Sequence, residues 1–118
     1  MGPDDLEDVA FAIRFGLMKL EDLREAADRC FTTLGVYGLS FYGENRLSVD
    51  DIAALAKKPH SHIRKTRVGR LRNVGFNIRR HGRFPHFTLG FSEKPTDKEL
   101  ETLIGVFDGP EPNPHPVE

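Results

Sequence analysis

One continuous stretch of the chain, residues 52–92, contains ten lysine and arginine side chains and no aspartate or glutamate. The segments on either side are acidic: residues 1–51 hold eleven carboxylates against five basic side chains, and residues 93–118 hold seven against two. Because like charges repel one another, the basic segment must either contact the acidic segments or face an anionic partner. Clustered lysines and arginines are also the usual sign of a surface that binds phosphates. Both alternatives remain open at this point.

The chain has 118 residues, of which 38% are hydrophobic, and this size and composition are typical of one compact domain. We expect the domain to span residues 1–108 and the proline-rich residues 109–118 to form an extended or disordered tail. The apolar runs are too short to cross a bilayer, which needs about 20 residues. Residues 4–8 are acidic, unlike the start of a secretory leader. We therefore expect a cytoplasmic protein without a membrane partner.

The first half of the sequence predicts two helices and a strand. Apolar residues at helical spacing indicate an N-terminal helical pair over residues 4–15 and 19–34, ended by Gly16 and Gly35. The β-branched and aromatic residues 36–42 predict a short central strand.

Two further helices are expected in the middle of the chain. Ser48 is a suitable N-cap for a helix over residues 48–57, and Thr66 for a helix over residues 67–74. Both helices present apolar residues on one face.

The last third predicts a hairpin and a final helix. Residues 76–81 and 84–91 alternate with a period of two around Gly82, which indicates a basic β-hairpin. Thr96 and Glu99 form a capping box that opens a C-terminal helix. The expected fold is therefore α+β, with a helical pair, a short central strand, two further helices, the hairpin and a last helix.

The sequence contains no pattern typical of a metal site or a cofactor-binding site. His60 and His62 are two positions apart, too close for one helical face, and no thiolates at zinc-finger spacing accompany them. Cys30 lies among apolar residues at helical spacing and is expected in the core. The sequence has no dinucleotide fingerprint and no phosphate-binding loop. We expect no metal site and no cofactor.

The candidate nucleic-acid-binding residues lie in the acid-free segment. They are Arg64, Lys65, Arg67, Arg70, Arg72, Arg79, Arg80, Arg83 and Phe84. The cations would contact phosphates of RNA or DNA, and the Phe84 ring would stack on an unpaired base. Cleavage of RNA needs a base for the ribose 2′-hydroxyl and a cation for the phosphorane. The candidate catalytic residues are therefore His86, His81 and Arg80.

Part of this segment resembles the HicA-type mRNA interferase toxins, in which a helix ending in a glycine–aromatic pair leads into a strand, a glycine turn and a histidine-bearing strand. The matching residues are Leu71, Gly75, Phe76, Arg80, Gly82 and His86. Where the family has Gly-Ser-His, this chain has Phe84-Pro85-His86. The resemblance implies a metal-independent ribonuclease of a toxin–antitoxin system, with His86 as the catalytic base.

The order of elements is also similar to the end of a winged-helix module, in which the second helix enters the major groove and the hairpin is the wing. This resemblance implies that the arginines of helix 67–74 lie at the duplex and that the arginines of hairpin 76–91 contact phosphates.

A third interpretation is that the acidic and basic segments are complementary surfaces for a protein partner or a homodimer. The acidic, proline-rich residues 110–118 would then dock on the basic face. Nucleic-acid binding is the leading prediction, with ribonuclease activity and protein interaction as the alternatives.

Overall fold

Ten elements follow one another in the computed structural model, which describes residues 6–80 and 85–116. In chain order they are β1 (Phe11–Phe15), α1 (Leu20–Leu34), β2 (Tyr37–Glu44), α2 (Val49–Ala56), β3 (His62–Arg67), α3 (Val68–Asn73), β4 (Asn77–Arg80), β5 (His86–Phe91), α4 (Asp97–Gly105) and β6 (Asp108–Pro112). The strands form one antiparallel sheet in the order β4-β5-β2-β1-β3-β6. The fold is α+β, and none of the described helices is long and apolar enough to span a bilayer.

The predicted N-terminal helical pair is wrong. Phe11–Phe15, which falls in the expected helix over residues 4–15, is the inner strand β1 and pairs with both β2 and β3. Ala12 and Ile13 are both fully buried, although they belong to different core clusters. A strand covered on both faces carries apolar residues at successive positions, so the period of two that marks a strand is lost from its sequence.

The two predicted middle helices are present as α2 and α3, but the strand β3 that lies between them was not predicted. Thr66 is not a helix cap: it is a buried residue of β3, and its hydroxyl donates to the Val106 carbonyl at 2.6 Å. Arg67 stands at the N-cap of α3 instead. A strand between the helices removes the helix-turn-helix order on which the winged-helix resemblance depends.

Three helices lie where local sequence signals predict them. Gly35 ends α1 in the left-handed conformation, with φ of 77°. The Ser48 hydroxyl caps α2 by accepting a 3.0 Å hydrogen bond from the Asp51 backbone N–H. Thr96 and Glu99 form the expected capping box at α4. These signals depend on residues a few positions apart, so tertiary contacts do not alter them.

The hairpin strands β4 and β5 also pair as expected, with Asn77 opposite Gly90. The predicted turn at Gly82 lies outside the described residues. Asp108–Pro112, which overlaps the expected tail, forms the edge strand β6 against β3. An edge position suits Pro110 and Pro112, because proline cannot donate a hydrogen bond to a second neighbouring strand.

Two hydrophobic cores lie on opposite faces of the sheet. The larger core contains buried residues of α1, α3 and α4 packed against β2 and β5. The smaller core contains Ile52 and Ala53 of α2 packed against β1 and β3. α2 packs on β1, β3 and the Tyr42 end of β2, so the rest of this face of the sheet, formed by β4, β5 and the other part of β2, has no covering helix among the described residues.

Candidate functional site

Arg64, predicted to contact phosphates, is used inside the fold. Its Nη2 donates to the carbonyl oxygen of Phe107 at 3.0 Å and to that of Ile104 at 3.4 Å, where α4 ends. The last carbonyls of a helix have no partner within the helix, so an arginine that reaches them stabilises the helix end. We therefore leave the half-buried Arg64 out of the proposed interface.

The other predicted cations of β3 and α3 are also held by the chain itself. Three form ion pairs with the acidic segments: Lys65 with Glu111 at 3.2 Å, Arg70 with Asp108 at 3.5 Å and Arg72 with Asp8 at 2.6 Å. Arg67 donates to the Val9 carbonyl at 2.6 Å, and its guanidinium lies 4.1 Å from the centroid of the Phe11 ring. Exposed ion pairs stabilise a fold only slightly, but they reduce the positive potential that attracts phosphates. The acidic segments thus neutralise this part of the basic segment.

The predicted residues of the hairpin are described only in part. Arg79 is exposed on β4 and has no hydrogen-bond or ion-pair partner among the described residues. The side chain of Arg80 and the whole of His81, Arg83 and Phe84 lie outside the part of the chain that the structure describes. Base stacking by Phe84 and catalysis by His81 and Arg80 stay predictions.

Five side chains of β4, β5 and β2 share the face of the sheet that also carries the smaller core. Across the strands, Arg79 is opposite Thr88, Thr88 is opposite Ser40, and His86 is opposite Tyr42. The residues that alternate with them pack in the larger core, so these five lie on the other face of the sheet. Directly opposed side chains in a sheet are about 5 Å apart, which makes the five one continuous surface. We call this surface the open face.

A chain of ring contacts joins the open face to the loop between α2 and β3. The Tyr42 ring contacts the His86 ring and the Phe15 ring edge-on, with centroid distances of 5.4 Å and 5.3 Å. The Phe15 ring in turn stacks with the His60 ring at a centroid distance of 6.2 Å. The Lys58 ammonium lies 5.6 Å from the centroid of the Tyr42 ring. Aromatic and cation–π contacts of this kind favour particular orientations, so they hold His86 and Lys58 against Tyr42 and His60 against Phe15.

A cleft of about 490 Å³ opens where β1 and β2 separate. The two strands pair only as far as Ile13 and Tyr42. Arg14 is the next residue of β1, and its Nη1 donates a 2.6 Å hydrogen bond to the Ser40 carbonyl oxygen. Ser40 lies beyond the last β1–β2 pair, so this side chain supplies a hydrogen-bond donor to a backbone oxygen of β2 there. The charged side chains lining the cleft are Arg14, Asp22, Glu25, Arg29, Lys58 and His60.

Arg14 carries a partly buried positive charge in this cleft. Burial, followed by the nearby charge of Arg29, lowers the pKa of Arg14 to about 10, whereas Tyr42 and Asp22 act in the opposite direction. The guanidinium therefore stays charged at neutral pH. It forms no ion pair with any carboxylate of the described residues. An anion entering the cleft would meet a cation that has already lost part of its hydration.

Asn113, within the segment predicted to be a tail, holds the loop that carries Lys58 and His60. Its buried amide nitrogen donates to the His60 carbonyl at 2.8 Å and to the Lys58 carbonyl at 3.4 Å. Its backbone N–H donates to the Ser61 carbonyl at 2.9 Å. The C-terminal segment thus positions one wall of the cleft.

Sequence reasoning missed Arg14 and Lys58 as members of one site. A signal for Arg14 was present, because it is a charged residue within the otherwise apolar residues 10–15. A charge in an apolar segment must pair with an opposite charge or take part in a binding or catalytic site. Lys58 and Asn113 carry no comparable local signal, since their roles depend on contacts across the fold. Of the predicted site residues, the structure brings Arg79 and His86 together on the open face.

No protein-family model, curated protein or solved structure matches the chain. Among the described residues, no group of three or more metal-ligating side chains is close enough to hold an ion. A function is therefore inferred from the side chains that the open face and the cleft present.

Proposed function

We propose that the protein binds single-stranded nucleic acid on the open face of its sheet. The observation that carries the proposal is the convergence of Arg79, Thr88, Ser40, His86 and Tyr42 on one sheet surface, where the described part of the chain covers only the Tyr42 end with a helix, α2. This set combines a cation that pairs with none of the described carboxylates, two hydroxyl groups, an imidazole and an aromatic ring. Sheets that bind single strands use the same combination of phosphate contacts, polar contacts to bases and aromatic rings.

The helices support a single strand rather than a duplex as the ligand. An α-helix that reads duplex DNA must present several free side chains to the major groove. α3 has six residues, of which Val68 and Leu71 are buried in the larger core. Its two arginines, Arg70 and Arg72, are bound to carboxylates of the same chain. The open face requires no inserted helix.

The same ion pairs weaken the alternative of complementary surfaces in a homodimer. Asp8, Asp108 and Glu111 already contact cations of their own chain. These carboxylates give no reason to expect a second, basic partner surface, because their charge is already compensated.

Binding can be tested by fluorescence anisotropy with labelled single-stranded RNA, single-stranded DNA and duplex DNA, in chelator and over a range of salt concentrations. We expect single strands to bind more tightly than the duplex. Each phosphate contact contributes about 0.7 to the slope of log affinity against log salt for single strands. Arg79→Ala should lower that slope by about this amount.

Arg70→Ala is the matched control, because Arg70 is an exposed arginine already paired with Asp108. It should leave the slope for single strands unchanged. Absence of binding to every strand, or equal effects of the two substitutions, would contradict the proposal.

A second candidate function is metal-independent cleavage of RNA, favoured by the position of His86. Its ring lies on the open face beside Tyr42, on the strand next to the one that carries Arg79. An imidazole in this position can accept the proton of a ribose 2′-hydroxyl from a strand bound there, while an arginine stabilises the phosphorane charge. RNA incubated in chelator should then be shortened by the wild type and remain intact with His86→Ala. Bound but intact RNA in the wild-type reaction would reject cleavage and leave the binding proposal in place.

A further inference from the structure

We propose that the cleft between β1 and β2 binds a terminal phosphate monoester, with Arg14 at its base and Lys58 on its wall. The inference rests on the proposed function, because it places the end of a bound strand in the cleft. A free nucleoside monophosphate carries the same group, and the experiment below separates the two sources.

The first step is the donor capacity of Arg14. A guanidinium has five N–H groups. The 2.6 Å bond from Nη1 to the Ser40 carbonyl is the hydrogen bond that Arg14 donates among the described residues. The other N–H groups remain for a ligand, and a guanidinium matches phosphate oxygens in a bidentate manner. Contact between Arg14 and the Phe41 ring, at 5.5 Å from the centroid, helps to hold its orientation.

The second step is the charge around Arg14. Arg29, Lys58 and His60 line the same cleft, so a dianionic monoester would meet several donors. Asp22 and Glu25 also line it, but both are exposed residues of α1, whereas Arg14 is partly buried. Their charges are screened by water more than that of Arg14. This arrangement favours a compact anion that reaches the base of the cleft.

The third step is the continuity between the cleft and the open face. Ser40 and Tyr42 belong to both surfaces. A strand that crosses the open face from Arg79 toward Ser40 therefore reaches the cleft. Its terminal group would pass between β1 and β2 to meet Arg14, whose guanidinium lies over Phe41 on the side of the larger core. The volume of about 490 Å³ is within the range of small-ligand sites, so it can accept a terminal nucleotide.

The test compares labelled oligonucleotides of one sequence that end in a phosphate, at either the 5′ or the 3′ terminus, with the same oligonucleotide ending in hydroxyl groups. We expect the wild type to bind one phosphorylated form roughly tenfold more tightly, because a charged hydrogen-bonding pair adds this much. Arg14→Gln and Lys58→Ala should remove the preference. Lys57→Ala is the matched control, since Lys57 is exposed and lies outside the cleft lining, and it should keep the preference.

Lys58→Ala keeps the test valid if Arg14→Gln destabilises the fold, which circular dichroism would show. Equal affinity of the wild type for the phosphorylated and hydroxyl strands would overturn the inference and leave the proposed function intact. Binding of free adenosine monophosphate, lost in Lys58→Ala and without any binding of strands, would support the monoester site and overturn the proposed function. Failure of the strands and of the free nucleotide to bind would overturn both.

Discussion

The Arg72 guanidinium donates a 2.6 Å hydrogen bond to the Asp8 carboxylate, although the two residues are 64 positions apart in the chain. The contact joins α3, in the basic middle of the sequence, to the acidic N-terminal segment. Together with the pairs formed by Arg70 and Lys65, it shows that the acidic termini compensate one side of the basic segment. Of the cations that the structure describes, Arg79 and those lining the cleft have no such carboxylate partner and remain for a ligand.

Because both partners are partly exposed to water, we expect the Arg72–Asp8 pair to stabilise the fold only slightly. A double-mutant cycle with Arg72→Ala and Asp8→Ala, measured by urea unfolding, should give a coupling free energy of about 0.2–1 kcal/mol. The coupling should fall when salt is added, because the charges are screened. A coupling that salt does not change would contradict an exposed electrostatic pair.

Arg64 should matter more for stability than any exposed arginine. Arg64→Met keeps much of the apolar stem but removes the donors to Phe107 and Ile104 at the end of α4. We expect the free energy of unfolding to fall by about 1–3 kcal/mol, the usual cost of leaving buried hydrogen-bonding groups without a partner. Arg79→Met is the matched control and should change it by no more than about 0.5 kcal/mol. Equal effects in urea unfolding would show that Arg64 does not support α4.

Gly43 is expected to be intolerant of any side chain, because β1 and β2 approach closely there. A Cβ at this position would lie 2.6 Å from the Phe11 carbonyl oxygen and 3.0 Å from the Phe87 ring. Gly43→Ala should therefore destabilise the protein by about 1–3 kcal/mol, as overpacking of a core does. Gly90→Ala, at a glycine of β5 with open space around its Cβ position, should be nearly neutral in thermal unfolding. A neutral Gly43→Ala would mean that the two strands can move apart at no cost.

The Arg24–Asp97 pair predicts a small contribution to stability that depends on pH. A hydrogen bond from the Arg24 side chain, 2.7 Å from Nε to Oδ1, holds the pKa of Asp97 below its ordinary value. A carboxyl whose pKa is lowered in the folded state stabilises the fold above its unfolded pKa, about 3.9, and loses this effect as pH falls through the folded pKa. NMR titration of the Asp97 carboxyl carbon should show the lowered pKa, and Arg24→Gln should return it upward. An unchanged titration in Arg24→Gln would remove the pair as the cause.

Much of the helical structure could be predicted from short stretches of sequence. The caps at Ser48 and Thr96 and the left-handed Gly35 each depend on residues within one helical turn. The hairpin strands were also predictable, because alternation on an edge strand and its neighbour survives in the sequence. In contrast, the apolar spacing of β1 predicts a helix, and β3 contains a single apolar residue, Ile63, among polar and charged ones, so its pairing with β1 leaves no local pattern.

The candidate site was predictable only in part. Arg79 and His86 were identified from the acid-free segment and lie on the open face. Arg14 and Lys58 reach the same region from β1 and from the loop after α2, which the sequence does not connect. Asn113 donates hydrogen bonds to that loop although it lies more than fifty positions further along the chain, so its role appears only in the folded protein.

The sequence by itself determined where α1, α2 and α4 begin and end, because capping and helical periodicity are interactions between near neighbours. It also determined that the positive charge is concentrated in residues 52–92. Only the tertiary structure decided which of those cations face water and which meet Asp8, Asp108 or Glu111. The reason is physical: a charge acts on whatever lies within a few ångströms, and distance along the chain does not specify distance in space.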